Sequence, residues 1–205
     1  MSFTVGFDLD MTLIDSRPGV ARAIDILGAE FGIDLHGARF ATRLGPPLAQ
    51  MLAEAGAPTD LIPAMVTRYR GMYPSVVPEI LPMAGAGEAL AAVRALGGQI
   101  LVVTGKHQPH AELHVAALRW QVDTVIGDLW SAGKAEALSA HAATVFVGDH
   151  TGDMIGARAA EVRAVGVTTG PCTAEQLWRA GAHVVLADLT EFPEWLTAEY
   201  SRASR

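Results

Sequence analysis

The chain has 205 residues, half of them hydrophobic, and its 15 Lys and Arg against 22 Asp and Glu give a formal net charge of −7. This length suits one domain with an insertion or two small domains, and no apolar run reaches the roughly 18 to 20 residues that span a bilayer. The acidic balance disfavours nucleic acid and anionic membranes as partners, because both bind clustered basic surfaces.

The first strand is predicted at TVGFDL, residues 4–9, with Asp8, Asp10 and Thr12 at its end. The two aspartates fall where a secretory signal peptide needs an uncharged apolar segment, so we expect a cytoplasmic protein. In an extended chain, residues at i, i+2 and i+4 point to one face. The two carboxylates would therefore repel each other unless a cation or a hydrogen-bond network accommodates them.

A helical insertion is predicted after this strand. Its three helices begin at Pro or polar residues and end near Gly. They are residues 18–31, 46–55 and 59–73. Pro and Gly residues favour hinges near Leu13–Arg17 and Pro78–Gly85. We therefore predict a core formed by residues 1–14 and 84–205, and a helical cap formed by residues 15–83.

In the remainder of the chain, predicted strands alternate with predicted helices. The strands are residues 99–105, 123–128, 144–149, 163–170 and 183–188. The helices are residues 87–97, 110–120, 134–142, 153–161 and 173–181. Nearly continuous hydrophobic strands that alternate with helices indicate a mostly parallel sheet with both faces covered. The fold class predicted is a doubly wound α/β domain.

Polar residues collect at the carboxyl ends of the predicted strands, where open parallel sheets bind ligands. They are Asp8, Asp10 and Thr12, then Thr104 and Gly105, then Asp149 and Asp153, together with Lys134 at the start of a helix. Converging carboxylates indicate a hard divalent cation, with Mg²⁺ the natural candidate. Thr104, Lys134 and the N–H groups after Gly105 suit an anion with several oxygens. The combination favours phosphoryl transfer.

These residues resemble the motifs of a known family. Asp8-Leu9-Asp10-Met11-Thr12 resembles the DxDxT signature of the haloacid dehalogenase (HAD) superfamily, and Thr104, Lys134 and GDHTGD (148–153) resemble its second, third and fourth motifs in order. The insertion is similar to the helical cap of the phosphoglycolate-phosphatase-like subfamily, and RLGPPL (43–48) resembles its cap loop. The resemblance implies a HAD-type Rossmann-like core and Mg²⁺-dependent hydrolysis of a small phosphorylated metabolite, such as phosphoglycolate.

The resemblance also implies how the reaction is divided among the aspartates. It assigns Asp8 as the nucleophile that forms an aspartyl-phosphate, with its other oxygen on Mg²⁺. It assigns Asp10 as the acid that protonates the leaving alkoxide and the base that deprotonates water, with its backbone carbonyl on the metal. Asp149 is then the third protein ligand of Mg²⁺.

Other residues receive supporting roles from the same resemblance. Thr104 and the Gly105 N–H are expected to hold phosphoryl oxygens, and Lys134 to neutralise their charge. Thr12 is expected to hold Asp10 and the turn. Asp153 is expected to accept a hydrogen bond from a metal-bound water or from Lys134, although simple helix capping explains that residue equally well.

Two features depart from the family pattern. Met11 stands where the family often has Gly, which affects the turn after Asp10 but removes no reacting group. Only fifteen positions separate Lys134 from Asp149, which is shorter than the family leads us to expect. Lys106, beside Thr104, is therefore kept as the reserve candidate for the phosphate.

Two groups of basic side chains lack an assigned role. Three histidines at helical spacing favour a solvated face or a partner contact over a metal site. They are His107, His110 and His114. In the insertion, Arg43, Arg68 and Arg70 raise the question of a substrate carboxylate or second phosphate, and Arg43 beside the Gly-Pro-Pro turn is the candidate we prefer.

Other functions are weighed against the same residues. A haloacid dehalogenase needs no acid two residues after its nucleophile, so Asp10 favours phosphoryl chemistry. A phosphonatase of this family needs a cap lysine, and residues 15–83 contain none. A phosphosugar mutase shares the core chemistry and remains an alternative. A non-catalytic module that binds a phosphorylated metabolite is a weaker alternative, because it would not need the full set of charged residues.

Overall fold

The structure is a computed structural model that describes residues 3–203. The strands are β1 (Thr4–Phe7), β2 (Ile14–Asp15), β3 (Leu81–Pro82), β4 (Gln99–Val103), β5 (Thr124–Ile126), β6 (Ala143–Gly148), β7 (Arg163–Val167) and β8 (Val184–Leu186). The helices are α1 (Arg17–Phe31), α2 (Gly37–Ala41), α3 (Leu48–Glu54), α4 (Ile62–Met72), α5 (Ala86–Ala95), α6 (Gln108–Ala117), α7 (Lys134–Ala140), α8 (Thr151–Ala159), α9 (Ala174–Ala180) and α10 (Phe192–Ala203). Short 3₁₀ turns lie at Tyr73–Ser75, Val77–Glu79 and Ser131–Gly133.

Six strands form one parallel sheet in the order β5-β4-β1-β6-β7-β8. Strand β1 lies at the point where the order reverses, between β4 and β6. The register places Phe7 beside Val102 on one side and Val147 on the other, so three strands end at nearly the same level. The prediction of an α/β fold with a mostly parallel sheet is confirmed, and this switch point is where such sheets bind ligands.

The sheet is buried on both faces, as its continuous hydrophobic strands require. Val5 and Phe7 alternate with Gly6 along β1 and are fully buried, while Val102 and Val103 of β4 point to opposite faces and are also inaccessible. Side chains that are apolar on both faces of a strand need helices on both sides of the sheet. The helices that follow β4, β5, β6 and β7 supply that cover.

Helices α1 to α4 lie between β2 and β3 and make up most of the predicted insertion, residues 15–83. These two short strands pair antiparallel, with Ile14 opposite Pro82 and Asp15 opposite Leu81. They fall inside the two segments predicted as hinges, so the chain leaves and re-enters the core through one hydrogen-bonded ribbon. The division into residues 1–14 with 84–205 and residues 15–83 stays a prediction.

Two helices, α2 and α10, are not among the predicted elements. Helix α2 has five residues and too little sequence for a periodic signal. Helix α10 buries Phe192 and Leu196, whose spacing of four is a local sign of a helix in this segment. No helix within residues 3–203 is long and apolar enough to cross a membrane.

Candidate active site

The turn that follows β1 places the two predicted aspartates in different environments. The Asp8 N–H still donates to the carbonyl of Val147 at 2.8 Å, and the chain then folds back so that the Ile14 N–H donates to the carbonyl of Leu9 at 3.0 Å. Met11 has a φ of +61°, its N–H donates to Ile14 at 2.8 Å and its buried side chain joins the hydrophobic core. Met11 therefore adopts the left-handed conformation for which glycine is suited.

A buried acidic cluster, formed by Asp8, Asp149 and Asp153, lies at the ends of β1 and β6. One carboxylate oxygen of each lies within 4.8 Å of the others. The ammonium of Lys134 lies against the cluster, 2.6 Å from Asp8 Oδ1 and 2.6 Å from Asp153 Oδ1. Lys134 is completely buried, so its charge is directed at these carboxylates and not at solvent.

The hydrogen bonds of the cluster leave two carboxylate oxygens free. Asp149 Oδ1 accepts from the Thr12 hydroxyl at 2.9 Å, and Asp153 Oδ2 accepts from the His150 N–H at 3.0 Å. Within residues 3–203, neither Asp8 Oδ2 nor Asp149 Oδ2 accepts a hydrogen bond. The expectation that Thr12 holds Asp10 is wrong, because the fold directs its hydroxyl to Asp149.

The electrostatics of the cluster favour a cation. Burial raises the pKa of Asp8 to about 7 in spite of the nearby Lys134, and burial together with Asp153 and Asp8 raises the pKa of Asp149. Burial would lower the pKa of Lys134, but Asp153 and Asp8 together raise it, so this group stays charged. Three carboxylates against one ammonium leave unbalanced negative charge. Two of the carboxylate oxygens are free, and one oxygen of each aspartate lies within 4.8 Å of the others, so the residues fit a hard divalent cation.

Asp10 lies outside the acidic cluster and binds a different lysine. The ammonium of Lys106 is 2.7 Å from Asp10 Oδ1 and 3.0 Å from Oδ2. Burial would raise the pKa of Asp10, but the charge and hydrogen bonds of Lys106 bring it below the ordinary value. The Lys106 ammonium also lies 4.7 Å from the centre of the Tyr73 ring, a cation–π contact that limits its movement.

The segment after β4 contains the residues predicted to bind an anion. The Thr104 hydroxyl accepts from the Lys106 N–H at 3.2 Å, and Thr104, Gly105 and Lys106 all line the cavity described below. Lys134 lies behind the acidic cluster. It contacts Asp8 and Asp153 and does not line the cavity. The reserve candidate Lys106 is thus the lysine that lines the cavity, and its position next to Thr104 in the sequence is the signal that points to it.

His110 and His114 are buried, so the expectation of a solvated face is wrong for both. The His110 ring stacks on Tyr73 at 4.4 Å between centroids, and His114 Nε2 lies 3.0 Å from the Tyr73 hydroxyl. Burial lowers the pKa of each histidine to about 4. In the described part of the chain, no cluster of metal-ligating side chains includes them, and their contacts tie helix α6 to the end of the insertion.

A cavity of about 200 Å³ separates the strand ends from the insertion. Its floor includes Asp8, Asp10 and Asp149, and its opposite wall is mainly apolar. The wall residues of the insertion are Val20, Phe40, Leu44, Gly45, Pro46, Pro47, Leu48, Ala49, Met51, Val66, Tyr69, Arg70 and Tyr73. The volume and the position between the strand ends and the insertion suit a small metabolite.

Arg43 does not line this cavity. Its guanidinium pairs with Glu54 at 2.5 Å on the surface, beside a separate and smaller pocket. The preference for Arg43 as a substrate ligand is therefore wrong, because the helix that follows the Gly-Pro-Pro turn offers it a nearer carboxylate. Of the insertion's charged residues, Arg70 is the one that reaches the cavity.

Comparison with known proteins gives consistent similarities. Residues 5–167 match the family model described as haloacid dehalogenase-like hydrolase. A phosphoglycolate phosphatase of Caulobacter vibrioides is 32% identical over 215 residues, which cover 93% of this chain and 89% of that protein. A probable phosphatase of Dickeya dadantii is 29% identical over 208 residues, covering 90% and 89%. A haloacid dehalogenase-like hydrolase from Streptococcus pneumoniae superposes with a TM-score of 0.83 at 22% identity, covering 97% of this chain and 98% of that one.

Proposed function

The chain belongs to the family of haloacid dehalogenase-like hydrolases, and from this premise we propose that it is a Mg²⁺-dependent phosphatase that hydrolyses a small phosphomonoester. Phosphoglycolate is the first candidate substrate, because the relative of that name is 32% identical over most of both chains. One observation carries the proposal: Asp8 lies in the buried acidic cluster, while Asp10, two residues on, lies on Lys106 at the cavity.

The acidic cluster supports the assignment of a metal. Asp8 and Asp149 would hold Mg²⁺ through their free oxygens, with the backbone carbonyl of Asp10 as a further ligand. When bound, the metal supplies positive charge that attracts a phosphoryl group and offsets the charge that develops on it. Both oxygens of Asp153 already accept hydrogen bonds, from Lys134 and from His150, which supports an outer role for Asp153.

The two aspartates would then perform different steps. Asp8 attacks phosphorus and forms an aspartyl-phosphate, while Asp10 gives a proton to the leaving alkoxide. In the second half, Asp10 takes a proton from the attacking water, inorganic phosphate leaves and Asp8 is restored. Thr104 and the Gly105 N–H would hold phosphoryl oxygens during both steps, and Lys134 would keep Asp8 ionised for the attack.

Lys106 links substrate binding to the protonation of Asp10. In the resting site, Lys106 lowers the pKa of Asp10, which keeps this carboxylate ionised. An anionic substrate would draw the Lys106 ammonium towards itself, and the pKa of Asp10 would rise as that contact weakens. Asp10 would then be able to carry the proton that the leaving group needs.

The helical insertion would act as the cap over this chemistry. Its apolar wall excludes bulk water from the cavity, which strengthens the electrostatic contacts inside. The paired strands β2 and β3 would serve as the hinge, because the chain passes through them on its way into and out of helices α1 to α4. Opening would admit substrate and release phosphate.

The test is a panel of small phosphomonoesters and 2-haloacids, incubated with the purified chain in Mg²⁺ or in EDTA. We expect phosphate release in Mg²⁺ only, and its loss in Asp8→Asn. The matched control is Asp60→Asn, which changes an exposed aspartate of the insertion and should leave the rate unaltered. Phosphate release that persists in Asp8→Asn would remove the nucleophile assignment, and halide release alone would overturn the reaction class. Conversion of a hexose 1-phosphate to its 6-phosphate without free phosphate would instead establish a mutase.

A further inference from the structure

The insertion presents a single charged side chain to the cavity, that of Arg70 at the end of α4. If Asp8 attacks the phosphoryl group at the strand ends, the leaving group must extend towards the insertion wall. Apart from Arg70, the insertion offers that leaving group no charged side chain. The charge preference on this side of the substrate therefore depends on Arg70.

The guanidinium of Arg70 is more weakly paired than those of Arg68 and Arg43, so it is more readily available to a ligand. Its contact with a side chain is a single long one, 3.4 Å from Nη2 to Asp128 Oδ1. By contrast, Arg68 is bound by two short hydrogen bonds of 2.6 and 2.5 Å to Glu30, and Arg43 is paired with Glu54 at 2.5 Å. Two of the three guanidinium nitrogens of Arg70 have no partner within residues 3–203.

The backbone of Arg70 is held in position beside the cavity, although its side chain is only weakly paired. Its carbonyl accepts a hydrogen bond from His110 Nε2 at 3.1 Å, and His110 is stacked on Tyr73. These contacts fasten the end of α4 to helix α6 beside the cavity. The side chain is 44% exposed, so it can turn towards a ligand without breaking a strong ion pair.

Asp128 competes weakly for Arg70. Its carboxylate accepts from the Gln108 N–H at 3.0 Å and lies 3.3 Å from His107 Nδ1, so much of its charge is already engaged at the start of α6. A ligand carboxylate that presents two oxygens would form the paired hydrogen bonds that a guanidinium prefers. Such a ligand would displace the single 3.4 Å contact.

We propose that Arg70 is the specificity-determining residue of the site and selects phosphomonoesters whose leaving group carries a carboxylate, with Asp128 as the internal anion that it leaves on binding. This inference rests on the proposed phosphatase function for the position of the phosphoryl group. It concerns recognition of the other end of the substrate, and binding can test it without turnover.

The test uses two phosphonates that cannot be hydrolysed and differ in one group: 3-phosphonopropanoate, which carries a carboxylate, and propylphosphonate, which does not. Both are titrated by calorimetry into the full chain with Mg²⁺. We expect the wild type to bind the carboxylate compound more tightly, and Arg70→Gln to lose roughly ten- to hundredfold in affinity for it with less than about a twofold change for propylphosphonate. Arg68→Gln, on the same helix, should change neither.

Two further variants keep the test decisive. Arg70→Lys retains the charge without the planar guanidinium, so its loss of affinity for 3-phosphonopropanoate should be smaller than that of Arg70→Gln. It replaces Arg70→Gln in the test if that variant does not fold. Asp128→Asn should bind 3-phosphonopropanoate more tightly, because the competing carboxylate is gone while the left-handed φ of +57° remains acceptable to Asn. Equal losses for both phosphonates, or an unchanged preference in Arg70→Gln, would overturn the proposal.

A hydrolysis arm separates this inference from the proposed function. Phosphoglycolate, ethyl phosphate and 2-aminoethyl phosphate differ in the charge of the leaving group, and the Arg70→Gln effect should appear in KM for the first of them. If no ester releases phosphate while the phosphonates still show the Arg70-dependent preference, the proposed reaction fails and the recognition site stands. If esters are hydrolysed without any preference for the carboxylate, the recognition site fails and the reaction stands.

Discussion

The Thr12 hydroxyl donates a 2.9 Å hydrogen bond to Oδ1 of Asp149, a residue 137 positions further along the chain. Both residues are buried, and the bond joins the turn after β1 to the end of β6. The other oxygen of Asp149 accepts no hydrogen bond within residues 3–203. The orientation of a proposed metal ligand is thus set by a residue in the turn after a different strand.

Replacement of Thr12 by Val should weaken Mg²⁺ binding about ten- to hundredfold, the range typical of partners that orient metal ligands. Val has the same shape but leaves Asp149 Oδ1 without its donor. The Kd for Mg²⁺ can be measured by titration calorimetry, with Thr12→Ser expected to restore it. Thr67→Val, which removes an exposed hydroxyl bonded to Pro63, is the control. Equal affinity in Thr12→Val and the wild type would contradict this role.

Replacement of Gly170 by Ala should also impair metal binding, for a steric reason. A Cβ at Gly170 would lie 1.7 Å from Oδ2 of Asp149, so the carboxylate would have to leave its present position. We expect the Kd for Mg²⁺ to rise at least about tenfold, by analogy with other changes around metal ligands. Circular dichroism should show that the variant is folded. Gly87→Ala meets no atom within 4 Å and should bind Mg²⁺ as the wild type does. If Gly170→Ala binds Mg²⁺ as tightly as the wild type, the assignment of Asp149 as a Mg²⁺ ligand is contradicted.

The main polar residues of the site are predictable because parallel topology brings strand ends together. Asp8, Thr104 and Asp149 each follow a hydrophobic strand, and neighbouring strands of a parallel sheet end at one edge. Their convergence therefore needs only the identification of three strands. The sheet order and register supply the rest.

Contacts between segments that are distant in the chain are not predictable in this way. The partner of Thr12 depends on how the turn after β1 approaches β6, and Gly170 contacts Asp149 through a loop after β7. The direction of Arg43 depends on Glu54, eleven residues away across a turn. In each case the residue type shows which kinds of contact are possible. The partner itself depends on the packing of distant segments, which a local sequence pattern does not reveal.

Replacement of Asp10 by Asn should trap the covalent intermediate if Asp10 is the acid and base. Asn can neither protonate the alkoxide nor deprotonate water, so kcat should fall by about 10² to 10⁴. With an activated ester such as an aryl phosphate, whose leaving group needs no proton, the first half should proceed and phosphorylated Asp8 should accumulate. Acid quenching followed by mass spectrometry measures it. Asp60→Asn is the control, and absence of phosphoenzyme in a folded Asp10→Asn would argue against the assignment.

His110 and His114 should make the protein less stable in mild acid. Their pKa values are about 4 in the folded chain, against about 6.5 in an unfolded one. As the pH falls from about 6.5 to about 4, these imidazoles are protonated in the unfolded state but remain neutral in the folded state, so the free energy of unfolding decreases. At pH 7.5 both states hold neutral imidazoles and this contribution is absent.

The measurement is urea unfolding at saturating Mg²⁺ between pH 7.5 and 5, which keeps the acidic cluster in one state. The double variant His110→Gln and His114→Gln should be less stable than the wild type at pH 7.5, because it loses the stacking on Tyr73 and the bond to its hydroxyl. Its stability should nevertheless decline less between pH 6.5 and 5. His36→Asn, which alters an exposed histidine, should keep the wild-type slope. If the double variant keeps that slope as well, the acid sensitivity arises elsewhere and the two histidines fasten α6 to Tyr73 without a titration of their own.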